Sequence, residues 1–240
     1  MSAVKRSTRL ADAGPAKGMR VVTYNILCER LASTNQFPHC DPEHLNGPNR
    51  LAKILDLLDT EVKKGAVICL QEVGTVWASE LHSFFAKRGY YFVVRHYGSD
   101  FNDYMGVGIA VPMEHYEVEA LNSKRVADTI WLPRKDKPGI FARFWAWLVS
   151  MFVAIAVFVK LYQVPFNTWW EIKRRWNVLI CAELTFKKTG ARFIISTYHM
   201  PCAFNHQDVM VVHGALALQK VQEAAAKAGD IPYLLLGDFN

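Results

Sequence analysis

Residues 66–70, AVICL, form a continuous apolar run that leads directly into the polar pair Gln71-Glu72. A short, uninterrupted apolar run of this kind predicts a buried strand. The segment before it, Asn49–Lys64, carries apolar residues at helical spacing, and Trp77–Lys87 after it also has a helical pattern. Because strands alternate with helices here, the pattern predicts an α/β domain whose sheet is covered by helices.

Further strands extend this pattern toward both ends of the chain. Met19–Tyr24 is rich in β-branched and aromatic residues and leads into the polar Asn25. Residues 187–190, KKTG, separate two apolar runs and predict a hairpin with Gly in its turn, so antiparallel pairing joins the βα units. The other predicted elements are strands at Tyr90–His96, Met105–Val111, Asn177–Phe186, Arg192–Tyr198 and Tyr233–Leu236, the last of them buried, and a helix at Gln207–Lys227.

Composition limits the class of protein. The chain has 240 residues, 51% of them hydrophobic, which is enough to bury the core of one domain. Its formal net charge of +6 favours anionic partners such as phosphate backbones or acidic lipid surfaces. Five scattered cysteines argue against a disulfide framework and favour a reducing, intracellular compartment. Residues 1–18 are basic without an apolar run, so we expect a disordered leader before a domain at 19–240.

Polar residues of one chemical class follow three of the predicted strands: Asn25, Glu72, and the pair Asp238 and Asn240. If the last strand stays extended, Asp238 and Asn240 project to one side and Phe239 turns back into the core. Carboxylate and amide oxygens are ligands that Mg²⁺ or Mn²⁺ prefers. Each residue alone is also typical of a turn or a solvated surface, so the joint pattern is what predicts a metal site.

Four runs carry a resemblance to a known family: TYNIL at 23–27, LQEV at 70–73, STYHMP at 196–201 and LLGDFN at 235–240. They resemble, in order, the motifs of the endonuclease/exonuclease/phosphatase superfamily, which includes exonuclease III, deadenylases, inositol-phosphate phosphatases and neutral sphingomyelinases. The resemblance implies an α/β fold, a two-sheet sandwich with helices on both outer faces (four layers, α/β/β/α). It also implies a Ser-Asp-His type motif after residue 240, so we expect a C-terminally truncated catalytic domain with impaired activity by itself.

The resemblance also implies a role for each residue of the predicted site. Glu72 would be the principal metal ligand, and Asn25 would position Glu72, the metal or the substrate phosphate. Asp238 would share the metal and orient or deprotonate the attacking water, while Asn240 would hold the phosphate. His199 would hydrogen-bond the phosphate, which agrees with the charge-assisted bonds that imidazole forms with anions. The implied cofactor is Mg²⁺ or Mn²⁺.

These residues predict a metal-dependent hydrolase that cleaves phosphodiester or phosphomonoester bonds by attack of an activated water. The substrate is a phosphate ester, either a nucleic acid (RNA or DNA) or a phospholipid or inositol phosphate, and the sequence leaves that choice open. A second hypothesis from another class is a membrane-anchored, non-catalytic binding module with the same fold. No obligate protein partner is evident from the sequence.

A hydrophobic insert is predicted at residues 137–170. Its segment Phe144–Val159 is uncharged, tryptophans crowd its ends, and Lys173, Arg174 and Arg175 follow. This pattern predicts contact with a membrane surface through residues 144–170, with a buried core helix as the alternative. A single bilayer crossing would separate Asn25 and Glu72 from His199 and Asp238, so an in-plane or re-entrant segment is expected.

Two further groups of residues are weaker candidates. Asp103 and Tyr104 precede a glycine-spaced strand and either line the substrate cleft or simply form a turn. His39, Cys40 and His44 lie close together in sequence but lack the second ligand pair of a structural metal site.

Overall fold

The computed structural model describes residues 18–129, 147, 149–151 and 167–240. The predicted leader and all of Phe144–Val159 except Trp147 and residues 149–151 lie outside these residues. The strands are β1 Val21–Asn25, β2 Val67–Val73, β3 Tyr90–His96, β4 Gly106–Pro112, β5 Tyr116–Arg125, β6 Val178–Phe186, β7 Ala191–His199 and β8 Tyr233–Asp238. The α-helices whose two ends lie within these residues are α1 Pro42–Leu45, α2 Gly47–Val62, α3 Thr75–Ala86, α4 Thr168–Arg174 and α5 Gln207–Lys227.

The described strands form two four-stranded sheets, with orders β1-β2-β4-β3 and β5-β6-β7-β8. Strand β1 pairs parallel with β2 and β7 parallel with β8, whereas the other neighbours are antiparallel. One apolar cluster lies between the sheets, a second joins the first sheet to α2 and α3, and a third joins the second sheet to α4 and α5. The predicted four-layer sandwich is therefore confirmed.

Strand β2 shows why the fold needs a continuous apolar run. All seven of its residues are buried. Ile68 and Leu70 belong to the cluster under α2 and α3, while Val67 and Cys69 belong to the cluster between the sheets. Successive side chains of a strand face opposite ways, so a strand covered on both faces is apolar at every position.

The predicted elements are present with small shifts of their ends, but one strand was missed and the expected burial of another was wrong. Strand β5 was missed because it alternates buried or half-buried residues with exposed charged ones, and its burial is weak over most of its length. The last strand, β8, was expected to be buried, but Tyr233 and Leu234 are 38% and 42% exposed. Strand β8 is the outermost strand of its sheet in the described structure, so one side of it has no neighbouring strand to cover it.

Asp103 has a structural role that the sequence left open. Helix α3 begins after Gly74, which has no side chain to cap it. Asp103, in a left-handed conformation with φ of 49°, accepts a hydrogen bond from the Val76 backbone N–H at 2.9 Å and another from the Thr75 hydroxyl. A carboxylate that accepts from the first turn satisfies free N–H groups and favours the helix dipole.

The flanks of the predicted insert are well defined. Strand β5 ends at Arg125 and β6 begins at Val178, so the insert lies between strands. Residues 168–170 of the predicted insert form the first turn of α4, whose Ile172 is fully buried against α5. No helix within the described residues is both long enough and apolar enough to cross a bilayer.

Helix α5 is tied to the second sheet by a buried histidine. His213 Nε2 lies 3.1 Å from the Ile172 carbonyl oxygen, and its Nδ1 lies 2.9 Å from the Tyr198 hydroxyl. Because a carbonyl oxygen only accepts, Nε2 carries the proton and Nδ1 accepts from Tyr198. Burial lowers the pKa of His213 to about 4. The bond to Ile172 opposes this shift, while Arg175 and Arg125 reinforce it.

We expect His213 to make stability fall in mild acid. Its folded-state pKa is depressed, so the unfolded chain binds the proton first, and stability is lost as the pH falls from about 6.5 toward about 4. A shift of this size corresponds to at most about 3 kcal/mol. Urea unfolding at about pH 7.5 and pH 4.5 measures it: His213→Gln should reduce the difference between the two pH values. The exposed control His44→Gln should leave it unchanged, and equal behaviour of the two variants would contradict the assignment.

Candidate functional site

The ends of four strands from both sheets meet at one edge of the sandwich. Asn25 ends β1, Glu72 lies near the end of β2, His199 ends β7 and Asp238 ends β8. The Asn25 amide nitrogen donates to Glu72 Oε1 at 2.7 Å and to Asp238 Oδ2 at 2.8 Å. The structure therefore brings together three of the polar residues that follow predicted strands, and a single amide bridges two carboxylates from different sheets.

Glu72 reaches this edge through a bulge in β2. Its φ is 60°, and the pairing of β2 with β4 shifts register between Gln71 and Val73. Leu70 and Val73 both join the core under α2 and α3, whereas the Gln71 side chain bonds Thr197 of the opposite sheet at 2.9 Å. The bulge thus removes Glu72 from the regular alternation of the strand. A left-handed non-glycine residue is strained, and such strain concentrates at functional sites.

The loop after β1 holds both Asn25 and Glu72 in place. The Leu27 N–H donates to Asn25 Oδ1 at 2.9 Å, so the Asn25 amide nitrogen faces the carboxylates. The Cys28 N–H donates to Glu72 Oε2 at 3.2 Å. Arg50 of α2 donates to the two consecutive carbonyl oxygens of residues 26 and 27, at 2.8 and 2.6 Å. Leu27 has a φ of 52°, and these bonds stabilise that unfavourable conformation.

His199 is buried, with 2% of its surface exposed. Its Nδ1 lies 2.9 Å from the Tyr97 hydroxyl, and its Nε2 lies 3.9 Å from Glu72 Oε1. Burial lowers the pKa of His199, and the charges of Glu72 and Asp238 oppose that shift. Burial also raises the pKa of Tyr97 well above 10. The phenol therefore stays protonated and can serve as donor or acceptor. The Glu72 carboxylate, 3.9 Å from Nε2, favours an N–H on Nε2, and with that tautomer Nδ1 accepts from the Tyr97 hydroxyl.

Sequence reasoning missed two residues that fix His199. Tyr97 follows β3 directly, so the rule that selected Asn25 and Glu72, a polar group at a strand end, would also have selected it. Asn177 precedes β6, is buried, and donates to the His199 carbonyl oxygen at 2.8 Å. No sequence pattern separates Asn177 from an ordinary loop asparagine.

Asp238 and Asn240 occupy different positions relative to the site. Burial acts to raise the pKa of Asp238, but hydrogen bonds from the Asn25 side chain and the Asn240 N–H outweigh it, so the pKa is lowered. Asn240 lies past β8 with a φ of 56°, and its amide nitrogen donates to the Met200 carbonyl oxygen at 2.9 Å. The expectation that the chain stays extended through Asn240 was therefore wrong. Phe239 is 39% exposed and does not enter the core.

The donor set fits a hard divalent cation. Two carboxylates contact one nitrogen and have free oxygen lone pairs, and burial of like charges at close range calls for a positive partner. Among residues 18–129 and 167–240 no group of three or more His, Cys, Asp and Glu could hold a metal by itself. Mg²⁺ commonly binds through only one or two carboxylates and keeps several waters. A carboxylate pair of this kind suits Mg²⁺ or Mn²⁺ and not structural zinc.

A sequence profile described as the endonuclease/exonuclease/phosphatase family matches residues 22–240. The chain is 24% identical over 223 residues to the CCR4-Not complex 3'-5'-exoribonuclease subunit Ccr4 of Neurospora crassa. That alignment covers 90% of this chain and 25% of the relative. The chain thus spans about a quarter of the length of this curated relative.

Two solved structures that share the fold of this chain hold a vanadate or a sulfate ligand. ANGEL2, a 2',3'-cyclic phosphatase, in complex with adenosine-2',3'-vanadate, matches with a TM-score of 0.65 and 19% identity over 91% of this chain and 53% of its own. The human Nocturnin catalytic domain with a bound sulfate anion matches with a TM-score of 0.62 and 17% identity over 92% and 64%. At these identities the likeness shows the shared fold.

We expect Asn25→Asp to destabilise the protein by about 2 kcal/mol without divalent metal, because it replaces the bridging amide with a third carboxylate. Addition of Mg²⁺ should recover most of this loss, since a cation offsets the repulsion. Urea unfolding in EDTA and in Mg²⁺ measures both effects. Asn122→Asp, the same change at an exposed position of β5, is the control and should shift stability by less than about 0.5 kcal/mol. Equal losses for the two variants in EDTA would contradict this interpretation.

Proposed function

The chain belongs to the endonuclease/exonuclease/phosphatase family, and from that premise we propose that its site hydrolyses phosphate esters by activated-water attack with Mg²⁺ or Mn²⁺. The main support is the pair of hydrogen bonds that the Asn25 amide nitrogen donates, to Glu72 at 2.7 Å and to Asp238 at 2.8 Å. This contact places one carboxylate from each sheet at a common point. His199, with its Nε2 3.9 Å from Glu72, lies beside them.

Each residue has a distinct part in the proposed reaction. Glu72 and Asp238 would hold the cation, which when bound polarises the phosphoryl oxygen and offsets the charge of the transition state. Asp238, whose pKa is lowered, is ionised and can accept a proton from an attacking water. His199 presents its Nε2–H to a phosphate oxygen and thereby stabilises developing negative charge. Asn25 keeps both carboxylates oriented, since its two amide N–H groups donate to them. The phosphate contact is proposed for the second N–H of the Asn240 amide, whose other N–H donates to the Met200 carbonyl oxygen.

The proposed substrate is a phosphate ester. It is either a nucleic acid, RNA or DNA, or a phospholipid or inositol phosphate. The relatives named above are an exoribonuclease and a 2',3'-cyclic phosphatase. These names support a substrate derived from RNA for the proposed reaction. The net charge of +6 agrees with a polyanionic substrate.

We expect Glu72→Gln to lower Mg²⁺-dependent hydrolysis by a factor on the order of 100 or more, because it removes an anionic ligand while the shape is kept. Turnover should be measured in the full-length protein on RNA, abasic DNA, sphingomyelin and inositol phosphates, with EDTA as the metal-free reference. Glu80→Gln, an exposed carboxylate of α3, is the matched control and should keep full activity. Full turnover in Glu72→Gln would contradict the proposed function. If the unchanged protein hydrolyses none of these substrates, the result favours the non-catalytic binding module.

We also propose that residues 144–170 contact a membrane surface inside the cell. In the described structure Trp169 and Trp170 of α4 are 56% and 57% exposed, and Arg174 lies over the Trp170 ring at 4.4 Å. Tryptophan and arginine side chains of this kind favour the bilayer interface. Asn25 and Asp238, which lie on either side of this segment in sequence, are hydrogen-bonded to each other. A single crossing of the bilayer would break that contact, so an in-plane or re-entrant segment is proposed.

The double variant Trp169→Ser/Trp170→Ser should bind anionic vesicles at least about tenfold more weakly, since each ring contributes roughly 1.5–3 kcal/mol when removed from water. Flotation with vesicles, and fractionation of cells with a high-salt wash, measure this. Salt alone should not release the unchanged protein. The control Leu57→Ser removes an equally exposed apolar residue from α2 and should bind normally. Recovery of the unchanged protein in the soluble fraction would show that the segment does not meet lipid.

A further inference from the structure

A pocket of about 550 Å³ lies at the same edge of the sandwich as the site, where β3 and β5 end. Tyr97 lines this pocket, and its hydroxyl contacts His199 Nδ1 at 2.9 Å. The other walls come from the ends of β3 and β5, the start of β6, and α5. The pocket is therefore joined to the site through the contact between Tyr97 and His199.

The charge of the pocket is unbalanced in favour of an anion. Its ionic lining consists of four cationic side chains and one carboxylate: Arg95, Lys124, Arg125, Lys220 and Asp128. Lys220 is paired with Glu223, and Arg125 lies 3.5 Å from Asp128. Arg95 and Lys124 are exposed, and neither forms an ion pair with a carboxylate in the part of the chain that the structure describes. Two cations without carboxylate partners in the lining of one pocket are suited to bind phosphate.

An aromatic ring stands next to these cations. Trp176 is 64% exposed although it lines the pocket, and the Arg125 guanidinium lies over its ring at 4.0 Å. Arg125 is itself fixed, because it donates to the Arg175 carbonyl oxygen at 2.8 Å and to the Lys173 carbonyl oxygen. A ring backed by a fixed guanidinium and still open to solvent is a preorganised stacking surface. Nucleic-acid bases stack on such rings with about 1–3 kcal/mol each.

The rest of the lining argues against a lipid tail. Val178 and the rings of Tyr97 and Trp176 are the apolar part of the lining, and all its other side chains are charged or polar. An acyl chain needs a continuous apolar surface, which this pocket does not offer. The combination of an exposed ring and two phosphate-binding cations instead matches the repeating base and phosphate of an unpaired strand.

We propose that this pocket is a substrate subsite for single-stranded nucleic acid, in which a base stacks on Trp176 and a non-scissile phosphate binds Arg95 and Lys124. This inference rests on the proposed hydrolysis of phosphate esters at the neighbouring site. It adds a second point of attachment, so that strands of several nucleotides bind more tightly than a single phosphate ester.

Binding of a fluorescein-labelled, single-stranded RNA of about ten nucleotides, followed by anisotropy in EDTA, tests the subsite without cleavage. Trp176→Leu should weaken binding about tenfold. Lys124→Glu should also weaken it about tenfold and reduce the slope of log Kd against log salt by about one. The controls are Trp169→Leu, an exposed tryptophan outside the pocket, and Lys188→Glu, the same charge change in the β6–β7 turn. Both should stay within about twofold of the unchanged protein.

Any of three results would contradict the proposed subsite. The first is an equal loss of RNA affinity in the pocket variants and their controls, and the second is binding of a duplex RNA as tight as that of the single strand. The third is loss of phosphatidylserine vesicle binding in the pocket variants while RNA binding stays intact. Hydrolysis of bis(4-nitrophenyl) phosphate by the unchanged protein in Mg²⁺ is measured separately, because this small diester carries neither a nucleobase nor a second phosphate for the pocket. Absence of that hydrolysis alongside pocket-dependent RNA binding would contradict the proposed function and leave the subsite standing.

Discussion

The amide nitrogen of Asn25 ties the two halves of the sandwich together at the edge where the chemistry is concentrated. It donates to Glu72 of one sheet and to Asp238 of the other. Without a positive or donating group between them, two carboxylates this close would repel each other and push the sheet ends apart. The same arrangement that stabilises the fold at this edge therefore creates a position of strong negative potential, which suits a divalent cation and the phosphate that it would bind.

Strain at this edge is balanced by bonds from the surrounding structure. Glu72 and Leu27 both adopt left-handed backbone conformations, which cost non-glycine residues roughly 1–3 kcal/mol each. Arg50 holds the Leu27 loop by its carbonyl oxygens, and Val73 returns to the core beyond the bulge. The site is thus held by α2 and by the outer core of the first sheet, so variants in those elements would disturb the site without contacting it.

Prediction from the sequence worked where burial alone decides the outcome. The apolar run of β2 and the helical spacing of α2 and α5 were found because each element buries a whole face, and Glu72 was found because it interrupts such a run. Strand β5 was missed because it buries only part of one face. Phe239 was assigned to the core because it is hydrophobic. The sequence did not indicate the turn at Asn240, and in the structure Phe239 is 39% exposed.

The sequence by itself determined the layers of the fold and the polar residues at the ends of its strands. The spacing of apolar residues shows which face of each helix or strand is buried, and that spacing can be read without a structure. Only the tertiary structure decided which of those residues meet. The contact of Asn25 with Asp238 joins positions far apart in the chain, and the turn of Tyr97 toward His199 depends on how two sheets stack. Such contacts follow from the packing of one sheet on another, a property of the whole domain that no local pattern of residues contains.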